Sequence, residues 1–492
     1  MKSTIDRGWG SPAALAVRRF FPLLALLLVL AALAIPMLFA LAPGILGPRT
    51  APSPEKPAWQ QAPTELSTTE GVGPLDTSAP LPVPSEVARL LNGTLTADGG
   101  GSFTGVVQDA LTGTVLFDRG GDENRIPASN MKLLTAVAAL KALGPETVFS
   151  TKVVQGATPA TVVLTGGGDV LLGAGASNPD AVLGHAGLAT LATDTVAALK
   201  AEGVTGELTV MLDDSLFSGP ALNPNWSPED VAAGEIAPLF PLALGSARFD
   251  PAVTTGPRPQ DAALDAAQRF AEQLRAAAAG AGLTVASAVE RGTSAGDGTG
   301  QAPQVFASAD SATVRQQVDL MLQVSDNYLA EILGRMTAVK TGLAGSNDGA
   351  TAAVQAQLAE LGVDAAKMRL ADVSGLALEN RVTARQFSEV VRAITSGADT
   401  RLRAALAGFP VAGLTGTLGD RYADATTAGG AGLVRAKTGT LNSVIALSGY
   451  VVDADGRLLV FSFIGNGLTP GAAGNKAALD RSASILASCG CR

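Results

Sequence analysis

The sequence predicts a mixed α/β protein of the α+β type, in which helices flank an antiparallel sheet and a large inserted region interrupts the main domain. Two β-rich runs, 102–110 and 112–119, are separated by a turn, which is typical of an antiparallel hairpin. Three further β-rich runs follow one another between 433 and 466 and predict an antiparallel meander. Strand-like and Ala-rich helical patterns alternate between about 149 and 305, so this stretch is expected to form the insertion.

Composition and charge exclude several classes of function. The 492 residues include 35 basic and 44 acidic ones, and the resulting net charge of −9 argues against a nucleic-acid partner. His185 is the one histidine, so a multi-histidine metal site is impossible and acid–base chemistry must use lysines and carboxylates. Cys489 and Cys491 lie too close to the end to cross-link the core. A minor tail, a local disulfide and an intermolecular bridge all remain open for them.

The first 84 residues predict export of the rest of the chain. Residues 20–42 carry no charge, and a helix of that length rises roughly 34 Å, slightly more than the hydrocarbon core of a bilayer. The basic residues within 1–19 predict a cytoplasmic N-terminus, so 20–42 is interpreted as a transmembrane anchor or, alternatively, as a cleaved signal segment. Residues 43–84 are rich in Pro, Ser and Thr and predict an extended tether.

Helices are expected at seven places in the exported body. The run at 133–143 is apolar almost all round, which indicates a buried helix, and Pro127 stands where that helix can begin. In chain order, the expected helices cover 85–95, 133–143, 186–203, 259–281, 311–323, 328–339 and 477–488. We therefore predict a main domain from 85–150 plus 300–492, with one or two inserted domains in 151–299.

A serine at the start of the buried helix has a lysine one turn away. Ser129 and Lys132 form the pattern S-x-x-K and share a helix face. A serine needs a base to remove its proton, and Lys132 can be that base if burial lowers its pKa. Taken alone, the pattern favours a helix cap followed by a solvated lysine. A second copy, Ser53 and Lys56, is discarded because it lies in the Pro-rich tether.

A second polar motif interrupts two predicted helices. Ser325 and Asn327 form the single S-x-N of the sequence, and the break predicts a loop between the helices. On this loop, a hydroxyl could relay protons and an amide could hold a substrate carbonyl. Taken alone, the motif favours an ordinary helix stop and N-cap, where Ser and Asn are common.

The tripeptide K-T-G occurs twice, beginning at Lys340 and at Lys437. The first copy is expected at a helix end in solvent, where Lys and Gly are common. The second lies in the first strand of the meander, where Gly439 would let a substrate approach the backbone closely. We select the second copy and expect Lys437 on an edge strand with its ammonium near Ser129 and Ser325.

The order S-x-x-K, S-x-N, K-T-G-T resembles the active-site signature of penicillin-binding proteins and serine β-lactamases. Nearly two hundred residues separate Ser129 from Ser325. This long insertion is similar to that of the class C penicillin-binding proteins, the S13 family of D-alanyl-D-alanine carboxypeptidase/endopeptidases. The resemblance covers about 85–488, and further agreeing stretches lie at 127–133, 164–169, 213–217, 372–376, 380–382 and 416–421.

The resemblance implies a serine β-lactamase/transpeptidase-like fold with a five-stranded antiparallel sheet. Ser129 would be the acylated nucleophile, Lys132 its general base and Ser325 the proton relay to the departing amine. The implied substrate-binding residues are Asn327, Lys437, Thr438, Gly439 and Thr440. The implied reaction breaks the amide between two D-alanines of a peptidoglycan stem peptide. It needs no metal or organic cofactor, and β-lactams would inhibit it.

Three other functions remain open. The first is a β-lactamase of the same fold, which must position a deacylating water, and one large group of these enzymes uses a Glu-x-x-Leu-Asn segment for this. The sequence lacks that segment, because Glu360 is followed by Leu-Gly-Val-Asp. The second is a non-catalytic β-lactam or cell-wall receptor, and the third is an esterase of the same fold.

Overall fold

The computed structural model describes residues 77–293 and 302–491. The predicted anchor or signal segment at 20–42, the residues before it and most of the predicted tether lie outside the described residues. Within the two described ranges, no helix combines the length and the apolar character needed to cross a bilayer.

The described residues form ten helices and ten strands. The helices are α1 (Pro84–Thr94), α2 (Met131–Leu143), α3 (Leu188–Ala201), α4 (Pro228–Ala233), α5 (Ala262–Ala278), α6 (Val314–Val324), α7 (Asn327–Lys340), α8 (Asn347–Ala359), α9 (Ala384–Ser396) and α10 (Lys476–Ser488). The strands are β1 (Gly100–Asp109), β2 (Val115–Arg119), β3 (Ser150–Gln155), β4 (Thr161–Thr165), β5 (Gly206–Asp213), β6 (Leu283–Arg291), β7 (Val305–Asp310), β8 (Arg435–Leu441), β9 (Val444–Val452) and β10 (Leu458–Thr469).

The first sheet has five strands in the order β2-β1-β10-β9-β8, and every neighbouring pair is antiparallel. The predicted hairpin and meander are therefore confirmed. Alternate residues of β10 enter two different cores, because successive strand side chains point to opposite faces. Phe461 and Phe463 pack with Leu91 of α1 and Leu479 of α10, whereas Ile464 joins the helical core on the other face. The predicted closing helix, α10, covers the first of these faces.

Helix α2 lies at the centre of the helical core. It contacts α6, α7, α8 and α9, and nearly all of its side chains are buried. A helix that is apolar all round is stable only in such surroundings. Lys132 lies in the first turn of this helix and is therefore buried with it.

A second, mixed sheet has the order β6-β5-β4-β3-β7. Strands β4, β5 and β6 run parallel, and helices α3 and α5 lie between them in the chain and pack on the sheet through a separate apolar core. The remaining pairs are antiparallel. The sheet uses residues from Ser150 to Asp310, so it extends slightly beyond both ends of the predicted insertion.

The end of the predicted tether contacts the folded body. Arg457 is buried against Asp109, and its guanidinium also donates to the carbonyls of Thr77 and Ala79 at 3.0 and 3.1 Å. These bonds hold the chain in place several residues before α1 begins. Cys489 and Cys491 form a local disulfide and are buried, so this end of the chain packs against the core.

Candidate active site

Ser129 lies in a tight turn, Ala128–Asn130, that leads directly into α2. Ala128 has a φ of 48°, a left-handed conformation that is costly for a residue with a side chain. Two glycines contact this turn closely. A Cβ atom on Gly375 would collide with the Ala128 carbonyl oxygen, and one on Gly439 would lie 2.9 Å from the Pro127 carbonyl oxygen. Gly439 is thus required for packing against the serine turn, whereas the sequence suggested a close approach of substrate.

Lys132 is completely buried and its amine contacts three oxygen atoms. Nζ lies 3.0 Å from Ser129 Oγ, 2.6 Å from Asn327 Oδ1 and 2.8 Å from the Ser374 carbonyl oxygen. Burial lowers the pKa of Lys132 to about 8, although nearby carboxylates, Asp372 first among them, oppose the shift. A substantial fraction of the amine is therefore neutral near physiological pH.

The orientation of Asn327 follows from its second partner. Its Nδ2 donates to the Glu235 carbonyl oxygen at 3.0 Å, and a carbonyl can only accept. The Asn327 Oδ1 atom must therefore face Lys132. Asn327 is the first residue of α7, so it lies in the helix and not on the predicted loop. The break between α6 and α7 consists of Ser325, with a left-handed φ of 59°, and Asp326.

Lys437 lies on β8, an outer strand of the five-stranded sheet, as expected. Its Nζ donates to Ser325 Oγ at 2.9 Å and to the Thr438 carbonyl oxygen at 2.8 Å. Burial, reinforced by the nearby charge of Lys132, lowers the pKa of Lys437 well below its usual value. The second and third predicted motifs therefore meet directly.

The two threonines of the K-T-G-T motif differ in exposure. Thr438 is buried and its Oγ1 lies 2.7 Å from Thr417 Oγ1, so one hydroxyl orients the other. Thr440 is exposed. Both line the same cleft as Ser129 and Ser325. Hydroxyl donors thus lie along one wall of the cleft.

Two buried carboxylates support the segment that bonds Lys132. Glu331 Oε1 accepts from the backbone N–H groups of Val373 and Ser374 at 3.1 and 2.8 Å. Burial, together with the nearby Asp372, raises the pKa of Glu331 to about 7. Asp372 in turn accepts from Trp226 Nε1 at 2.9 Å. Lys132 is therefore connected, through Ser374 and Asp372, to a side chain of the inserted region.

The cleft has a volume of about 1550 Å³ and contains the three motifs. The motif residues that line it are Ser129, Ser325, Asn327, Thr438 and Thr440. The region 151–299 also lines the cleft, with Trp226 and with both acidic and basic side chains. The charged ones are Glu229, Asp230, Glu235, Arg248 and Arg258.

A family model supplies the decisive comparison. The model of the D-Ala-D-Ala carboxypeptidase 3 (S13) family matches residues 91–260 and 252–487, which is most of the chain. The chain belongs to this family. Carboxypeptidase DacB of Mycolicibacterium smegmatis is 36% identical over 433 residues, covering 87% of this chain and 90% of the relative.

Two further comparisons agree for this S13 enzyme. D-alanyl-D-alanine carboxypeptidase of an Actinomadura species is 31% identical over 440 residues, covering 75% of this chain and 78% of the relative. The crystal structure of penicillin-binding protein 4 from Haemophilus influenzae is 21% identical and covers 80% of this chain and 97% of that chain, with a TM-score of 0.64. The predicted family, fold class and serine-type D-Ala-D-Ala carboxypeptidase activity are confirmed.

Several residues of this S13 carboxypeptidase have roles that their local sequence does not indicate. Ser374 contributes a backbone carbonyl to Lys132, Glu331 holds that carbonyl's segment, and Thr417 orients Thr438. The stretches 372–376 and 416–421 agree with the family pattern, but neither contains a motif whose chemistry can be inferred from spacing alone. A carbonyl contact has no residue-type signature, so only the three-dimensional arrangement identifies it.

Proposed function

We propose that Ser129 is the nucleophile and that neutral Lys132 is its general base. The observation that carries this assignment is the division of bonds around Lys132 Nζ. Asn327 Oδ1 and the Ser374 carbonyl oxygen can only accept, so they take both N–H groups of a neutral amine. The lone pair is then left for Ser129 Oγ, 3.0 Å away, and can receive its proton.

We propose that Ser325 relays this proton to the departing amine. Ser129 Oγ bonds to the carbonyl carbon of the penultimate D-alanine, the C–N bond breaks, and the nitrogen leaves with the relayed proton. Lys437 supports this step because it donates to Ser325 Oγ. Water then attacks the ester, releases the shortened peptide and restores Ser129.

The other motif residues are proposed to bind substrate. Thr438 and Thr440 would bind the terminal carboxylate, whose negative charge favours the protonated form of Lys437 and so opposes the effect of burial. Asn327 Nδ2 donates one hydrogen to the Glu235 carbonyl, which leaves the other for a peptide carbonyl. The backbone N–H groups of Ser129 and Thr440 would stabilise the oxyanion.

The proposed substrates are peptidoglycan stem peptides that end in D-Ala-D-Ala, and β-lactams would acylate the same serine. Endopeptidase action is the same reaction with an amine that belongs to a cross-link. Such substrates lie outside the cytoplasmic membrane, in agreement with export through 20–42 and a spacer at 43–84. We propose that 85–150 with 300–492 forms the catalytic domain, apart from β7, which belongs to the sheet of the inserted domain formed by 151–299.

Covalent labelling tests the nucleophile. Ser129→Ala should abolish labelling by fluorescent penicillin, because the proposed acyl-enzyme forms on Ser129 Oγ, which lies 3.0 Å from Lys132 Nζ. Ser53→Ala, which alters the other S-x-x-K copy, should label like the unchanged protein. Persistent labelling of the Ser129 variant would contradict the assignment.

The reaction with a soluble β-lactam separates the candidate functions. A carboxypeptidase should acylate and then stall, a β-lactamase should turn the compound over rapidly, and an inactive receptor should do neither. Mass analysis of purified cross-linked muropeptides after incubation then distinguishes loss of terminal D-alanine from cleavage of the cross-link. An esterase would leave both muropeptide bonds intact.

A further inference from the structure

The S-x-N motif is bonded to residues 234–248 of the region 151–299, which we call the clamp segment. Asp326, the middle residue of the motif, accepts through Oδ2 from Arg248 Nη1 at 2.7 Å and from Ser246 Oγ at 2.8 Å. Asp326 is almost fully buried and the side chain of Arg248 is 12% exposed. Their ion pair is thus largely removed from water, where breaking it is costly.

The clamp segment also contacts the two residues that follow Asp326. The Glu235 carbonyl accepts from Asn327 Nδ2 at 3.0 Å. The hydroxyl of Tyr328 accepts from the backbone N–H of Phe240 at 3.1 Å. Three consecutive residues at the start of α7 are therefore bonded to one segment that lies at least 78 positions earlier in the chain.

Arg258 connects the two ends of the clamp segment. Its guanidinium is buried and donates to the Gly234 carbonyl and, at 2.9 Å, to the Ser246 carbonyl. One side chain thus holds together the two parts of the clamp segment that bond to Asn327 and to Asp326.

The backbone of the clamp segment is strained where it contacts Asp326. Gly245, Ser246 and Ala247 are all left-handed, with φ values of 54°, 61° and 54°. This conformation is unfavourable for residues with a side chain, such as Ser246 and Ala247. Such conformations persist where the surrounding structure determines them, and they concentrate at functional sites.

We infer that Arg248 is a positioning residue for the acylation of Ser129. It fixes Asp326, and through Asp326 it fixes Ser325 and Asn327 against the two lysines of the site. The inference rests on the proposed roles of Ser325 and Asn327. This role would give the inserted region a part in catalysis without its supplying an acid or a base.

The test is the acylation of the full chain by penicillin, measured per labelled serine at saturating and limiting drug. Arg248→Met should lower the limiting acylation rate constant at least tenfold while most molecules remain competent for labelling. Arg248→Lys, which keeps the charge, should recover most of the rate. Neutralising the abandoned carboxylate with Asp326→Asn in the Arg248→Met background should raise the rate at least threefold, because the buried charge no longer lacks its partner.

Two results would overturn the inference. One is an unchanged rate in Arg248→Met. The other is a slow rate that Asp326→Asn does not improve, since Arg248 would then act on the substrate directly from the cleft wall. If Arg248→Met does not fold, Ser246→Ala decides, because it removes only one hydroxyl. It should slow acylation about threefold with a normal labelling yield, and no slowing would contradict the inference.

Two controls complete the experiment. Arg457→Met breaks another buried arginine–aspartate pair, with Asp109, and should lower thermal stability while the rate per labelled serine stays within twofold. Ser129→Ala is measured in parallel. Labelling of that variant would refute the proposed nucleophile, whereas loss of labelling together with a normal Arg248→Met rate would refute only the positioning role.

Discussion

The two K-T-G copies have the same three residues but lie in opposite surroundings in the fold. Lys437 is fully buried on β8 and its amine donates to Ser325 Oγ. Lys340 is the last residue of α7 and is exposed. Burial lowers the pKa of Lys437 and brings its amine to another motif, whereas Lys340 faces water. The difference shows that the strand, and not the tripeptide, makes this lysine part of a site.

The threonines and glycines of the two copies also have different partners in the fold. Thr438 Oγ1 is hydrogen-bonded to Thr417 Oγ1 beside the cleft, whereas Thr341 Oγ1 donates back to carbonyls of its own helix. Gly439 is needed because a Cβ would press on the serine turn. Gly342 has open space around it and a φ of 80°, so it is needed for the helix to end. One residue type thus meets two unrelated physical requirements.

The largest expected difference between the copies is in the lysines. Lys437→Ala removes a buried donor from Ser325, and a loss of about 2 kcal/mol or more slows acylation by penicillin roughly 30-fold or more. Lys340→Ala should change the rate less than about threefold, as expected for an exposed charge. Stopped-flow or quenched labelling of both variants measures these rates. Equal effects would show that the wrong copy has been selected.

The expected pH dependence separates lysines inside the site from Lys340. Lys132 acts as a base only when neutral, so acylation should rise as pH increases through its pKa of about 8 and then level off. Between pH 7 and pH 9 the rate should increase about tenfold. Lys340→Ala should give the same curve. A flat profile would contradict the role of Lys132 as base.

A variant of Glu331, one of the two buried carboxylates near Lys132, tests the origin of this pH dependence. The charge of Glu331 favours the protonated form of Lys132, so its removal in Glu331→Gln should move the midpoint to lower pH. If the midpoint of the pH profile does not move, Glu331 acts only through the hydrogen bonds that it accepts from backbone N–H groups.

The sequence predicts the parts of the site that have local signatures. Ser129 and Lys132 are one helical turn apart in the sequence. The meander that contains Lys437 is predicted by its three β-rich runs and the turn residues between them. Both features therefore follow from short-range sequence pattern. The support of Lys132 by Ser374 does not, because it joins residues 242 positions apart. The helical position of Asn327 also escapes local pattern, since the N-cap that begins α7 is Asp326, a residue that the S-x-N motif leaves unspecified.

The smallest expected difference between the copies is in the threonines. Thr417→Val removes the hydroxyl that orients Thr438, and a hydrogen bond of about 1 kcal/mol corresponds to roughly fivefold in affinity. Because this bond orients the proposed carboxylate-binding group and not the proposed nucleophile, KM for a D-Ala-D-Ala peptide should rise by about that factor while kcat changes little. Thr341→Val is the matched control, since its hydroxyl bonds only carbonyls of α7, and its KM should stay within twofold. Steady-state kinetics on both variants checks this, and a fall in kcat with unchanged KM for Thr417→Val would place the threonine pair in the chemical step instead.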